Sequence, residues 1–197
     1  EIRFLAEVNR ARAAIQQLEN PFVAIDDPVN RAIQWRLLFP LVGHYLHLPK
    51  TLYLAMPWIG CALALMFIAH LTLQIRRDRA VAFLTVLLAA TSSWFFVSTG
   101  WLSYLDSWFV LALLIVSFAQ SRVLLAIACL LAPWVDERFA IGLLLAIAVR
   151  VAYQLTVRGQ SIRSLGRDAI AIFTPVFLYL ILRIALFRSI DTSSGSA

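Results

Sequence analysis

The sequence predicts an all-α fold, a polytopic transmembrane helical bundle with an amphipathic interfacial helix on its non-cytoplasmic side. Three observations carry that expectation. Hydrophobic residues make up 61% of the 197 residues and charged residues only 14%, where a soluble domain carries about a quarter; mean hydropathy is +0.82. Long uncharged runs recur, the clearest from Thr51 to Ile75, enough to cross ~30 Å of hydrocarbon with some tilt. The arginines punctuate those runs singly or in short groups, as topology signals do. The net charge of +6 therefore points to no nucleic acid.

Residues 1–50 read as a non-cytoplasmic loop. Ile2, Leu5, Val8, Ala11, Ile15 and Leu18 recur at three- and four-residue spacing, with Glu1, Arg3, Glu7, Arg10 and Arg12 between them. That pattern is an amphipathic helix lying on the outer leaflet. Asn20-Pro21 stops it, and Asp26-Asp27-Pro28 starts another, with Asp27 as cap and Pro28 in the first turn. Pro40 and Pro49 break the next stretch, so the first long span begins after Lys50.

Residues 51–187 read as a bundle of about six segments. Thr51 to Ile75 ends at Arg76-Arg77-Asp78-Arg79. Ala80 to Ser98 turns at Thr99-Gly100, Trp101 to Gln120 returns, and Val123 to Trp134 comes after Ser121-Arg122. Phe139 to Val157 and Ala169 to Phe187 flank the basic loop RGQSIRSLGR. Residues 188–197 form a polar non-cytoplasmic tail. One set of connections holds Arg76, Arg77, Arg79, Arg122, Arg158, Arg163 and Arg167, the opposite set only Arg138. The positive-inside rule puts the first set in the cytoplasm. A bacterial plasma membrane with the active face outside fits; a lumenal site in the endoplasmic reticulum would show the same bias. The chain opens at Glu1 without an initiator Met or a signal-like segment, which predicts a piece of a longer protein with further spans on either side.

The charges inside apolar sequence are the candidate site. In LLAPWVDERFAIGLLLA, Asp136-Glu137-Arg138 interrupts near-pure hydrocarbon, at a cost of at least ~2.5 kcal/mol per charge if left in the bilayer. Val123 to Trp134 reaches only ~18 Å, so a water-filled recess meeting its end is the expected compensation. An interfacial turn whose charges pair with each other is the plainer alternative. Asp106, between Tyr104 and Trp108, is a candidate cavity-lining group, or a hydrogen-bond partner in an aromatic belt. Asp26 and Asp27 read either as a cap and its solvated neighbour, or as a general base or ligand to a divalent cation. Asp136 and Glu137 join Asp26 and Asp27 as candidate catalytic carboxylates, and Arg36, Arg138, Arg183 and Arg188 suit phosphate, as dedicated clamps or as anchors to lipid headgroups. Arg150, inside a span, snorkels or pairs within the bundle. His44 and His47 read as interface histidines; as a metal site the pair is incomplete, with no nearby Cys to complete it, and no metal ligand set is assigned. Cys61 and Cys129 read as small buried hydrophobes.

The layout resembles the GT-C class of integral-membrane glycosyltransferases. The outer-face helix, NPF…DDP and RLLFPLVGHYLHLP resemble that class's first external loop and the start of its second span. STGWLSYLDSWFVLALL and LLAPWVDERFAIGLLLA resemble its short inner spans, where a charged turn follows a short helix beneath the donor site. The resemblance implies transfer of a sugar from a polyprenyl-phosphate carrier to an acceptor on the non-cytoplasmic face. It implies that Asp26 or Asp27 acts on the acceptor hydroxyl, that Asp136, Glu137 and Arg138 line the cavity, and that Arg183 or Arg188 meets the carrier phosphate. The class's first span and its large C-terminal soluble domain are not in this chain, so sugar and acceptor stay unassigned. The alternative is a non-enzymatic membrane protein, a transporter, lipid flippase or assembly subunit, with buried charges on both sides of mid-depth.

Overall fold

The computed structural model describes residues 2–25, 30–159 and 162–194. Among them lie nine α-helices and no strand. They are α1 (Ile2–Glu19), α2 (Leu38–Tyr45), α3 (Lys50–Arg76), α4 (Arg79–Ala90), α5 (Ser93–Gly100), α6 (Asp106–Phe118), α7 (Arg122–Val135), α8 (Phe139–Thr156) and α9 (Ile162–Ser194). A 3-10 turn, Arg31–Trp35, precedes α2. The expected cap at Asp27 and Pro28 lies outside the described residues.

Three helical stretches are long and apolar enough to cross a membrane: Lys50–Arg76, Phe139–Thr156 and Ser164–Leu186. The segment expected as one span over Ala80 to Ser98 is formed by two helices, α4 and α5, that together are long and apolar enough for a span but are bent 63° between them. Thr91 Oγ1 donates to the Leu88 carbonyl at 2.8 Å and the Ser92 hydroxyl to that of Ala89, drawing carbonyls out of the helical ladder. α6 and α7 are shorter, about 20 Å each at 1.5 Å per residue. Pro40, expected as a breaker, sits in the first turn of α2, where its missing N–H has no helical partner to lose.

The core lies where α6, α7, α8 and α9 meet: Ala112, Val116, Leu125, Cys129, Phe139, Leu143, Ala146 and Ile172 are all buried there. Small side chains let these helices approach closely, as packing without a hydrophobic driving force requires. Gly60 does the same between α3 and α6, since a Cβ there would stand 2.5 Å from Ser107 Oγ and 2.7 Å from Trp108 Cδ1. That contact is keyed by polar groups. Ser107 Oγ donates to the Pro57 carbonyl and Trp108 Nε1 to that of Met56, both at 2.8 Å, and the Ser107 amide donates to Ser98 Oγ at 2.9 Å. These bonds fix the register of α6 against α3, and with it the position of Asp106 at the helix start.

α1 buries its inner face on protein. Ala14 and Leu18 pack with Phe39, Tyr53 and Val135, and Ala13 with Ile25 and Ile33. Gln17, fully buried, donates to the Ile33 carbonyl at 3.2 Å. At the helix end, His44 Nδ1 lies 3.0 Å from the Leu18 carbonyl oxygen, and Lys50 Nζ meets Glu19 Oε1 at 2.5 Å.

Candidate functional site

α7 ends at Val135, and the chain extends at Asp136 before α8 begins at Phe139, with Arg138 in the N-cap position. The Asp136 side chain makes that turn. Its Oδ1 accepts the Arg138 amide at 2.9 Å, satisfying a donor that the start of α8 would leave open, and places negative charge at a helix N-terminus. The same carboxylate takes Arg138 side-on, Nε to Oδ1 at 2.9 Å and Nη2 to Oδ2 at 2.7 Å. Arg138 Nη2 also donates to Asp106 Oδ1 at 2.6 Å. Arg36, just past the 3-10 turn, brings Nη2 to 2.9 Å from Asp136 Oδ2, and its Nε lies 3.9 Å from Glu137 Oε2.

Asp136 is only 1% exposed, yet it faces two guanidinium groups, the arrangement that offsets desolvation. The recess expected from the short α7 is not what compensates this carboxylate; pairing is. Burial pushes the Asp136 carboxyl up, but hydrogen bonds from Arg138 and the Arg36 charge outweigh it and hold the group below its ordinary range. The bond to Asp136 in turn raises Arg138, against the opposing effect of burial. Glu137 and Arg138 are open to the surroundings, with side chains 43% and 50% exposed.

Arg10 of α1, which the sequence pattern assigns to a polar stripe, reaches the same place. Its guanidinium lies over the Tyr104 ring, 3.5 Å from the centroid, within electrostatic range of Arg36, Asp106 and Asp136. Its Nε and Nη2 are buried and make no hydrogen bond, and Arg36 Nε is also unsatisfied. Burial lowers the Arg10 pKa, partly opposed by Tyr104. Sequence reasoning missed Arg10. The polar residue two turns further on, Gln17, shares its side of the helix and is wholly buried, so that side faces protein.

An apolar groove of about 280 Å³ lies between α2, α6 and α7. Phe39, Val42, Trp108, Ile115, Ile127 and Val135 are among its lining residues. Val135 adjoins Asp136 in the chain and Trp108 stands two residues from Asp106, so the groove's lining includes near neighbours of the charged residues in the chain. The rings of Phe39 and Trp108 pack there at 5.0 Å.

The structure therefore brings together Asp106, Asp136, Glu137, Arg36 and Arg138. Arg183 belongs to another grouping: it donates to the Tyr179 hydroxyl, and that ring packs edge-on against Trp134. Arg188 lies on α9 with its side chain outside the described set, and Asp26 and Asp27 lie outside the described residues. Among the described residues no group of three or more His, Cys, Asp or Glu could hold a metal.

A second charged group lies at the opposite end of the bundle. Arg150 gives Nε and Nη2 to Asp168 Oδ2, at 2.9 and 2.6 Å, and Nη1 to the carbonyls of Val116 and Ala119, both at 2.9 Å. Arg122 Nε adds a contact to Asp168 Oδ1 at 3.1 Å. Those carbonyls close α6, so a side chain of α8 supplies the cap that the end of α6 lacks. Of the two fates expected for Arg150, it is pairing within the bundle.

Fold and site together define an all-helical protein, over the described residues, with three helices long and apolar enough to span a bilayer, a charged cluster at the α7–α8 turn and an apolar groove between α2, α6 and α7. No family model, no curated protein and no solved structure matches the chain.

Proposed function

We propose that this chain is the membrane portion of a GT-C-like glycosyltransferase that moves a sugar from a polyprenyl-phosphate carrier to an acceptor on the non-cytoplasmic face. One observation carries the proposal: an apolar groove is lined as far as Val135, the residue next to Asp136, whose carboxylate is paired with Arg36 and Arg138. A prenyl phosphate has the same two halves in the same order. The distribution of arginines orients the α1 end away from the cytoplasm, in a bacterial plasma membrane.

In this reading the prenyl tail lies along α6 and α7. As the bond from the anomeric carbon to the phosphate oxygen breaks, Arg36 and Arg10 stabilise the charge left on the phosphate, the larger catalytic contribution in such sites. The acceptor hydroxyl attacks that carbon and gives its proton to a carboxylate, worth about 10²–10⁴-fold. Asp136 is tied to two arginines, which leaves Glu137 as the candidate of the turn, beside Asp26 and Asp27. Asp106 and Arg138 hold the frame. A divalent cation at Asp26 and Asp27 stays an open part of the proposal.

The rival reading, a transporter or flippase, draws on Arg150 and Asp168, buried charges at the far end. Between the two charged groups lies the packed layer of Val116, Leu125, Cys129, Phe139 and Leu143. All three nitrogens of the Arg150 guanidinium are engaged by Asp168 or by α6 carbonyls. A dry layer and saturated charges favour a one-sided site over a path. The test is sugar turnover from a prenyl-phosphate donor in proteoliposomes, with Asp26, Asp27 and Glu137 replaced singly by their amides. A loss of two or more orders of magnitude in at least one well-inserted variant is expected; full turnover in all three sinks the catalytic assignment.

A further inference from the structure

α1 docks on the bundle largely through alanines, Ala11, Ala13 and Ala14, with Leu18 as its one large buried aliphatic side chain. Against that modest apolar gain stands Arg10. Docking seals its Nε and Nη2 from solvent with no acceptor, although a buried charged donor is costly to leave unpaired. Of the carboxylates nearby, Asp136 is engaged by Arg138 and Arg36 and Asp106 by Arg138, while Glu137, 43% exposed, stands 3.9 Å from Arg36 Nε, beyond hydrogen-bond distance. Arg36 Nε is likewise without a hydrogen-bond partner. The unused donors of this cluster thus come from two guanidinium groups, one on α1 and one on the bundle. A tetrahedral oxyanion with several acceptor oxygens is the chemistry that satisfies both at once.

We infer that α1 is a cover whose docking is coupled to a phosphate group: the anion bridges Arg10 of α1 to Arg36 of the bundle, and without it α1 lifts more readily. This rests on the cluster being an anion site, not on sugar transfer. The coupling runs both ways. Whatever the anion gains from a docked α1, α1 gains from the anion, and lifting α1 gives the anion its way in. The phosphate comes from a lipid headgroup or from free phosphate; the groove beside the cluster favours the lipid.

The experiment is amide hydrogen exchange on the full chain in phosphatidylcholine nanodiscs, alone, with inorganic phosphate, and with farnesyl phosphate. At ten times its dissociation constant, a ligand that binds only the docked form raises protection of the Ala11–Leu18 amides about tenfold. Wild type should show that rise, and Arg10→Gln should not. Lys50→Gln, which loosens the exposed link to Glu19, should lower basal protection while keeping the response. Protection by farnesyl phosphate alone assigns the lipid source; protection by inorganic phosphate assigns free phosphate. No rise with either compound, or an equal rise in Arg10→Gln, overturns the inference, whatever the outcome of sugar-transfer assays.

Discussion

Arg138 grips Asp136, two residues before it, through two parallel hydrogen bonds of 2.9 and 2.7 Å, so a single turn supplies both a buried carboxylate and its half-exposed counter-charge. Replacing Asp136 with Asn removes the charge that Arg138 and Arg36 share. The expected loss is about 2–3 kcal/mol, below the usual 3–5 because Arg138 stays half exposed and keeps Asp106. Thermal unfolding in detergent measures it.

The same carboxylate sets an acid limit. Its folded-state pKa lies below the ordinary 3.8, so its contribution is fully present above that value and fades as pH falls through the folded one. The unfolding midpoint of the wild type should hold down to about pH 4 and drop under more acid conditions, with a shallower fall in Asp136→Asn. Equal acid profiles for the two proteins would contradict the assignment.

At the other end of the bundle, Asp168→Asn leaves Arg150 buried without its counter-charge and should cost about 3–5 kcal/mol. Replacing both residues, Arg150→Met with Asp168→Leu, should cost less than the sum of the single changes. The shortfall in a double-mutant cycle measures the pair. The residual loss in the double variant reports the uncapped carbonyls of Val116 and Ala119.

Gly60→Ala forces a methyl group against Ser107 Oγ and the Trp108 ring. Overpacking of this kind costs about 1–3 kcal/mol, and it should shift the start of α6 and with it Asp106. A crosslink yield between cysteines placed at positions 102 and 8, which line a common depression, would register that shift.

Ile127, 47% exposed on the groove rim, tolerates a larger side chain without unfolding the core. Ile127→Trp narrows the channel. If the groove holds prenyl chain, KM for a long-chain donor rises about tenfold or more while a short-chain donor is little affected, a difference of at least ~1.4 kcal/mol in binding.

How far these features are legible in the sequence varies with where their partners sit. The charged turn announces itself because acid and base stand in unbroken hydrocarbon, and the ends of α1, α7 and α8 follow from Pro21, Ser121 and Phe139. The break at Thr91 and Ser92 does not, since hydroxyl side chains barely lower the hydropathy of a window. Asp168 is masked by its neighbours: it closes a basic loop in the sequence, whereas α9 begins at Ile162 and carries it inward to Arg150. Arg10 falls on the polar side of a periodic pattern whose apolar side is rich in alanine, so the burial of its nitrogens depends on how α1 meets Tyr104, which no local period encodes.

The unequal heights of the helices have a consequence for the surrounding lipid. α3 rises about 40 Å while α7, with Val123, Ile127 and Leu131 turned outward, rises about 21 Å. A bilayer meeting both must taper around the protein's girth, thick along one flank and pinched along the other. Phospholipids on the pinched flank would sink toward the groove between α2, α6 and α7, and if the proposed carrier binds there, membrane thickness itself becomes a variable that tunes its delivery.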